Sequence, residues 1–143
     1  GITGPLIRVL GERYSWSIKS AILDAIYLLL LKVDVTLRPF LPQLQPTFMK
    51  NLSDPNRLVR IKSGCALAKL LLMNPRLDQI ILDIQNLIKN SSDIQISETL
   101  INTLRLCFNN VGNKLQEDTK NQLMTTLMNT TNNDSALVYS NEY

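Results

Sequence analysis

The sequence predicts an all-α protein built as a solenoid of paired helices. Leu and Ile dominate its 143 residues, whereas Gly and aromatic residues are scarce, and such a composition favours helices over sheets. Apolar residues recur with helical periodicity in blocks of about 15 to 19 residues. Short polar breaks separate the blocks, so we expect several short helices within one domain.

The helical blocks are taken here in chain order. They cover residues 2–10, 15–33, 36–52, 54–73, 76–90, 93–111 and 114–130, and a further fragment begins near Asp134. The breaks contain Asn, Pro, Gly, Ser or Thr, which end helices. In the third block, Pro46 lacks a backbone N–H and is expected to bend the helix.

The stretch SDPNRLVRIKSGCALAKLL, residues 53–71, contains a marked helix start. Asp54 is expected to cap free backbone N–H groups, and Pro55 suits the first helical position. Arg57 then falls in the first turn, where the helix dipole disfavours a cation. We therefore expect either a neighbouring carboxylate or a bound partner to stabilise Arg57.

A sequence period defines the architecture further. The breaks at Asp54, Asp93 and Asp134 lie 39 and 41 residues apart. A second set of positions, early in alternate helices, repeats after 41 and 37 residues: Ile18, Val59 and Ile96. Helix pairs with this period are typical of HEAT-type, armadillo-like solenoids. The prediction is about three and a half helix pairs, with repeats at 1–34 (partial), 35–73, 74–112 and 113–143 (partial).

The charge is distributed unevenly along the chain. The net charge is +3, but the first 73 residues carry +6 and the remainder carries −3. We therefore predict a basic edge for an acidic partner surface, formed by Arg13, Lys19, Arg57, Arg60 and Lys62. Two other interpretations stay open. Lys19 and Arg60, at equivalent repeat positions, are candidates for a structural ladder with Asp54 or Asp93, and Lys62 for a solvated face.

Catalytic and cofactor chemistry has little support in the sequence. The chain contains no His, the commonest acid–base catalyst and metal ligand, and it has no Gly-rich phosphate loop. Cys65 and Cys107 lie within helical patterns, where packing is the expected role. The longest apolar run, residues 26–31, is far too short to span a membrane. We predict no enzyme, no cofactor, no metal and no membrane partner.

Three stretches carry a family resemblance. They are ITGPLIRVLGERYSW at 2–16, LRPFLPQLQPTF at 37–48 and DPNRLVRIK at 54–62. They resemble the HEAT-repeat region in the carboxyl-terminal part of the general control nonderepressible 1 family of translational activators. The resemblance is dense over residues 2–72 and thins after Asn74. The chain departs from the family pattern at Gly64 and Cys65, where helix formers like alanine are expected.

The resemblance implies a cytoplasmic, ribosome-associated scaffold that acts in the stress response. Members of that family bind the RWD domain of the general control kinase and help uncharged tRNA to activate it. The kinase then phosphorylates initiation factor 2 alpha during amino-acid starvation. Two alternatives stay open: docking to the ribosome through ribosomal RNA, and a generic HEAT adaptor for other proteins.

Overall fold

A computed structural model describes residues 7, 8, 10, 14–32, 35–73 and 76–133. Within these ranges it contains α1 (Trp16–Leu31), α2 (Leu41–Asn51), α3 (Arg57–Leu70), α4 (Leu77–Asn90), α5 (Ile94–Val111) and α6 (Glu117–Asn133). Short 3₁₀ helices cover Val35–Phe40, Leu71–Met73 and Gly112–Lys114, and the described residues form no strand. Most of the predicted first block and the fragment near Asp134 lie outside the described residues. The all-α prediction is confirmed.

The predicted helix at 36–52 is divided in two. A 3₁₀ helix spans Val35–Phe40 and contains Pro39, and α2 begins at Leu41 with a Pro in its first turn. A proline cannot donate the backbone hydrogen bond that would extend a single α-helix through this point, whereas a first turn leaves its N–H groups unpaired. The prolines of this stretch therefore locate the start of α2.

The helices form two rows. In the first row α1, α3 and α5 pack side by side, and the second row contains α2, α4 and α6, of which α4 packs against α6. The rows meet where α2 packs on α3, α4 on α5, and α6 on α5. The main packing contacts of each α-helix are with helices one or two places away in the chain. This nearest-neighbour pattern is the architecture of a helical solenoid.

A continuous apolar core fills the space between the rows. Its largest fully buried side chains come from both rows and include Leu23 and Ile26 of α1, Phe48 of α2, Leu67 of α3 and Ile80 of α4. The central helix α3 is packed against α1, α2 and α5, so only one stripe along it is left partly exposed. The repeat boundaries stay a prediction, because the first and last partial repeats extend beyond the described residues.

Candidate protein-interaction site

The turn before α3 differs from its prediction in one detail. The cap of α3 is Asn56 rather than Asp54: its Oδ1 accepts hydrogen bonds from the backbone N–H groups of Leu58 (2.9 Å) and Val59 (3.3 Å). Pro55 therefore precedes the helix. Asp54 instead shapes the turn, because its Oδ1 accepts from the backbone N–H of Asn56 at 2.9 Å. Two successive side chains with capping ability left the sequence ambiguous here.

The second oxygen of Asp54 connects two repeats. Lys19 of α1 donates from Nζ to Oδ2 of Asp54 at 2.9 Å, and both side chains are largely buried. A low-dielectric position strengthens such a contact relative to a surface ion pair. This ion pair is the contact that the ladder interpretation assigned to Lys19 and Asp54.

Arg60 is buried at the contact between α3 and α5. Only 3% of the residue is exposed. Its Nη1 donates to the backbone carbonyls of Asp54 (2.8 Å) and Pro55 (3.0 Å), and its Nε donates to Oγ1 of Thr99 at 3.2 Å. Arg60 thus meets the same turn as Lys19, but through backbone carbonyls and a hydroxyl instead of the Asp54 or Asp93 carboxylates that the sequence suggested. Its charged group is enclosed by the chain itself.

Lys62 also makes contacts between repeats. Its Nζ donates to Oγ of Ser20 at 2.7 Å and to Oδ2 of Asp24 at 2.6 Å, both on α1. The interpretation of Lys62 as part of a solvated face is therefore wrong in this structure. Ser20 and Asp24 stand four residues apart, so both side chains lie on one face of α1 and reach one ammonium group.

Arg57 is the most exposed of the candidate residues that the structure describes. Its side chain is 45% exposed, and Nη2 lies 3.8 Å from Oε1 of Glu98 on α5. A neighbouring carboxylate of the kind expected from the helix dipole is therefore present, while much of the guanidinium surface stays accessible to a partner.

The predicted basic edge can now be located. Arg13 lies outside the described residues, and the other four members, Lys19, Arg57, Arg60 and Lys62, each make a polar contact with another helix or with the turn before α3. Their hydrogen bonds to other repeats join residues 35 to 42 positions apart, which is close to the predicted period. The residues therefore stabilise the stack, and partner binding by the exposed ones stays a prediction.

A groove lies beside this edge. It has a volume of about 620 Å³ and is lined by Tyr14, Trp16, Lys19, Asp54, Pro55 and Asn56. Both aromatic side chains are exposed. Sequence reasoning did not select these aromatics, because an isolated Tyr or Trp near a helix start is common in packed corners. The contacts between α1 and the turn before α3 bring them to the same edge as Arg57.

The described residues hold little that resembles a catalytic or metal site. No group of three or more His, Cys, Asp or Glu side chains is placed to hold a metal ion among them. Cys107 is buried, and burial raises the pKa of its thiol to about 12. Burial also raises the pKa of the Cys65 thiol, which is half-buried. None of the described helices combines the length and the hydropathy that crossing a membrane requires.

Two rows of stacked helices, joined by polar contacts about one repeat apart, define the class of protein: a HEAT-repeat solenoid. A family model described as "Stalled ribosome sensor GCN1-like, HEAT repeats" matches residues 78–138. The chain belongs to this GCN1 family of HEAT-repeat proteins. The family match covers the second half, where the resemblance was expected to thin, so that expectation is wrong: scattered apolar positions carry a family signal that conspicuous motifs do not.

Individual relatives agree with the family assignment. The chain is 41% identical over 133 residues to "Stalled ribosome sensor GCN1" of Mus musculus and 40% identical to the protein of that name from Homo sapiens, matching 93% of this chain in both. It is 40% identical over 124 residues to "eIF-2-alpha kinase activator GCN1" of Saccharomyces cerevisiae, which matches 86% of the chain. The chain spans about 5% of the length of these relatives. No solved structure matches it.

Proposed function

We propose that this segment is a non-enzymatic scaffold in translational control and works in the cytoplasm beside the ribosome. The observation that carries the proposal is its 40% identity to a yeast protein named as an eIF-2-alpha kinase activator. The mammalian relatives are named as stalled ribosome sensors, which supports a ribosomal partner as well. A solenoid presents long surfaces on which partners are positioned, which suits a scaffold better than a catalyst.

We further propose that the protein partner is the RWD domain of the general control kinase, and that binding promotes phosphorylation of initiation factor 2 alpha during amino-acid starvation. Arg57, Tyr14 and Trp16 support a contact at the edge beside the turn before α3, because all three are exposed there. Arg, Tyr and Trp are the residue types that most often dominate the energetics of protein interfaces.

Charge reversal at Arg57 tests this contact. In a pull-down of the kinase's RWD domain by the 143-residue chain, we expect Arg57→Glu to reduce binding by about tenfold, since removal of an interfacial Arg often costs more than 1 kcal/mol. Lys89→Glu is the matched control, because Lys89 is an exposed cation in the last turn of α4, in the second row. Charge reversal at Arg60 is unsuitable, since its burial makes loss of packing the dominant effect.

The outcomes separate two levels of the proposal. Unchanged binding by Arg57→Glu, with helical content preserved in circular dichroism, excludes Arg57 from the contact. Failure of the unmodified chain to bind the RWD domain contradicts the assignment of that partner to this segment.

Contact with ribosomal RNA is a second candidate, supported by the names of the mammalian relatives and by the +6 charge of the first 73 residues. Binding through phosphates weakens steeply as salt increases. An electrophoretic mobility shift with ribosomal RNA at two salt concentrations distinguishes this candidate from a protein contact. A shift that persists at low salt and vanishes at high salt supports RNA binding, whereas no shift at either concentration excludes it.

A further inference from the structure

The first row has a second exposed surface, at the opposite end of its helices from Arg57. We define the first-row patch as Leu28, Leu31 and Lys32 of α1 with Lys69 and Leu72 of α3 and the turn after it. The exposed fractions of its leucines are 58% for Leu28, 44% for Leu31 and 41% for Leu72. Arg57 and Leu72 are separated by 15 residues, which is about 22 Å along a helix. The patch is therefore distinct from the edge at which the RWD contact is proposed.

Contacts between α1 and α3 place the members of the patch on one side of the molecule. Lys62 binds Ser20 and Asp24, so the exposed stripe of α3 runs beside the face of α1 that carries these two residues. Leu28 follows Asp24 by one turn on that face, and Lys69 follows Lys62 by two turns on its stripe.

The exposure of the patch is a property of the row and not merely of the end of the stack. Lys69 and Leu72 belong to the central helix of the row and its 3₁₀ extension, and that helix is packed against α1 on one side and α5 on the other. Neighbouring helices cover both flanks of α3, yet Leu72 stays exposed. Exposed leucines that cluster beside lysines are typical of a surface that a partner covers.

The charges around the patch indicate the chemistry of that partner. The cations beside the leucines are Lys32, Lys62 and Lys69, whereas the described carboxylate on the same faces is that of Asp24, which is already bound to Lys62. The patch therefore combines an apolar centre with excess positive charge at its rim. An amphipathic helix with an apolar face and acidic flanks is complementary to both features.

We propose that the first-row patch is the docking site for an acidic amphipathic helix of a partner protein. The apolar face of that helix covers Leu28, Leu31 and Leu72, and its carboxylates lie beside Lys32 and Lys69. The proposal does not depend on the RWD contact, since it uses other residues on a separate surface. It adds a second binding site to the segment.

The primary test uses three fluorescent 18-residue peptides and the 143-residue chain. The first peptide carries Leu at helical i, i+3, i+4 and i+7 spacing and Glu elsewhere. The second is its scrambled sequence, and the third has Lys in place of each Glu. We expect fluorescence anisotropy to show binding of the first peptide alone. Equal binding of the scrambled or the lysine peptide overturns the proposal, as does absence of binding.

Surface variants locate the peptide. Leu28→Asp and Leu72→Asp are each expected to weaken binding of the acidic peptide by at least about tenfold, because each loses the burial of one leucine. Ile94→Asp is the matched control: Ile94 is 66% exposed at the first turn of α5, at the other end of the row, and its replacement is expected to change nothing. Lys69→Glu should weaken the acidic peptide and strengthen the lysine peptide. Equal effects of Ile94→Asp and Leu72→Asp contradict docking at the patch.

Cys65 gives a second readout without any mutation. It lies between Lys62 and Lys69 on the exposed stripe of α3 and carries a free, half-buried thiol. We expect the acidic peptide to slow alkylation of Cys65 by iodoacetamide, while the buried thiol of Cys107 stays unreactive with and without peptide. An unchanged alkylation rate at saturating peptide contradicts the site. Binding of the chain to phosphatidylserine vesicles without binding to the acidic peptide also overturns the proposal, in favour of a lipid surface.

Discussion

Gly64 shows how a single residue controls the distance between two helices of the first row. It lies in the middle of α3, where glycine is normally unfavourable. A Cβ atom added there would overlap Oγ1 of Thr103 on α5. Thr103 is held in place, since its hydroxyl donates to the backbone carbonyl of Thr99 at 2.8 Å. The departure from the family pattern at Gly64 therefore has a packing reason.

Gly64→Ala is expected to lower the free energy of unfolding by about 1–2 kcal/mol, because the overlap with Thr103 outweighs the better helix propensity of alanine. Urea denaturation measures this change. The control is the same substitution in a Thr103→Ala background, where the overlapping oxygen is absent and Gly64→Ala should become neutral or stabilising. Equal effects in both backgrounds would show that Gly64 and Thr103 are not coupled.

At the scale of single elements, the starts of α1, α3 and α5 are built differently. Asn56 and Asp93 cap their helices with side-chain oxygens: Oδ1 of Asp93 accepts from the backbone N–H groups of Gln95 at 2.8 Å and Ile96 at 3.2 Å. Ser15, at the equivalent position before α1, makes no such hydrogen bond. The three helices thus provide capped and uncapped starts within one row.

We expect Asn56→Ala and Asp93→Ala each to destabilise the chain by about 1 kcal/mol, the typical value of an N-cap side chain. Ser15→Ala should change the stability by no more than about 0.3 kcal/mol, because no capping bond is lost. Thermal and urea denaturation of the three variants provide the comparison. A loss in Ser15→Ala as large as that in Asn56→Ala would mean that the substitutions act through something other than the caps.

At the scale of the whole molecule, stability is distributed along the stack. The central helix α3 is packed by α1, α2 and α5, and its contacts with α5 include the hydrogen bonds of Arg60 and that of Asn110, whose Nδ2 donates to the carbonyl of Ala68 at 3.1 Å. The last described helix, α6, packs only against α4 and α5 among the described helices. Solenoids with nearest-neighbour contacts open from weakly supported elements, and not always as one unit.

Amide hydrogen exchange is therefore expected to be slowest in α3 and fastest in α6 among the described helices. The ratio between their protection factors should exceed about tenfold, which corresponds to 1.4 kcal/mol of local stability. Mass spectrometry of peptides from each helix provides the measurement. Equal protection in α3 and α6 would indicate a single cooperative unit and would contradict graded stability.

The sequence by itself determined the helices, their pairing and their period, because each follows from local patterns: apolar spacing within a helix and polar breaks between helices. Only the tertiary structure decided what the basic residues do. Arg60 is buried and Arg57 is accessible, although both lie in one short stretch of α3. Which one is enclosed depends on how α5 crosses α3, and that crossing is set by side chains about one repeat away in the chain, whose proximity no local pattern encodes.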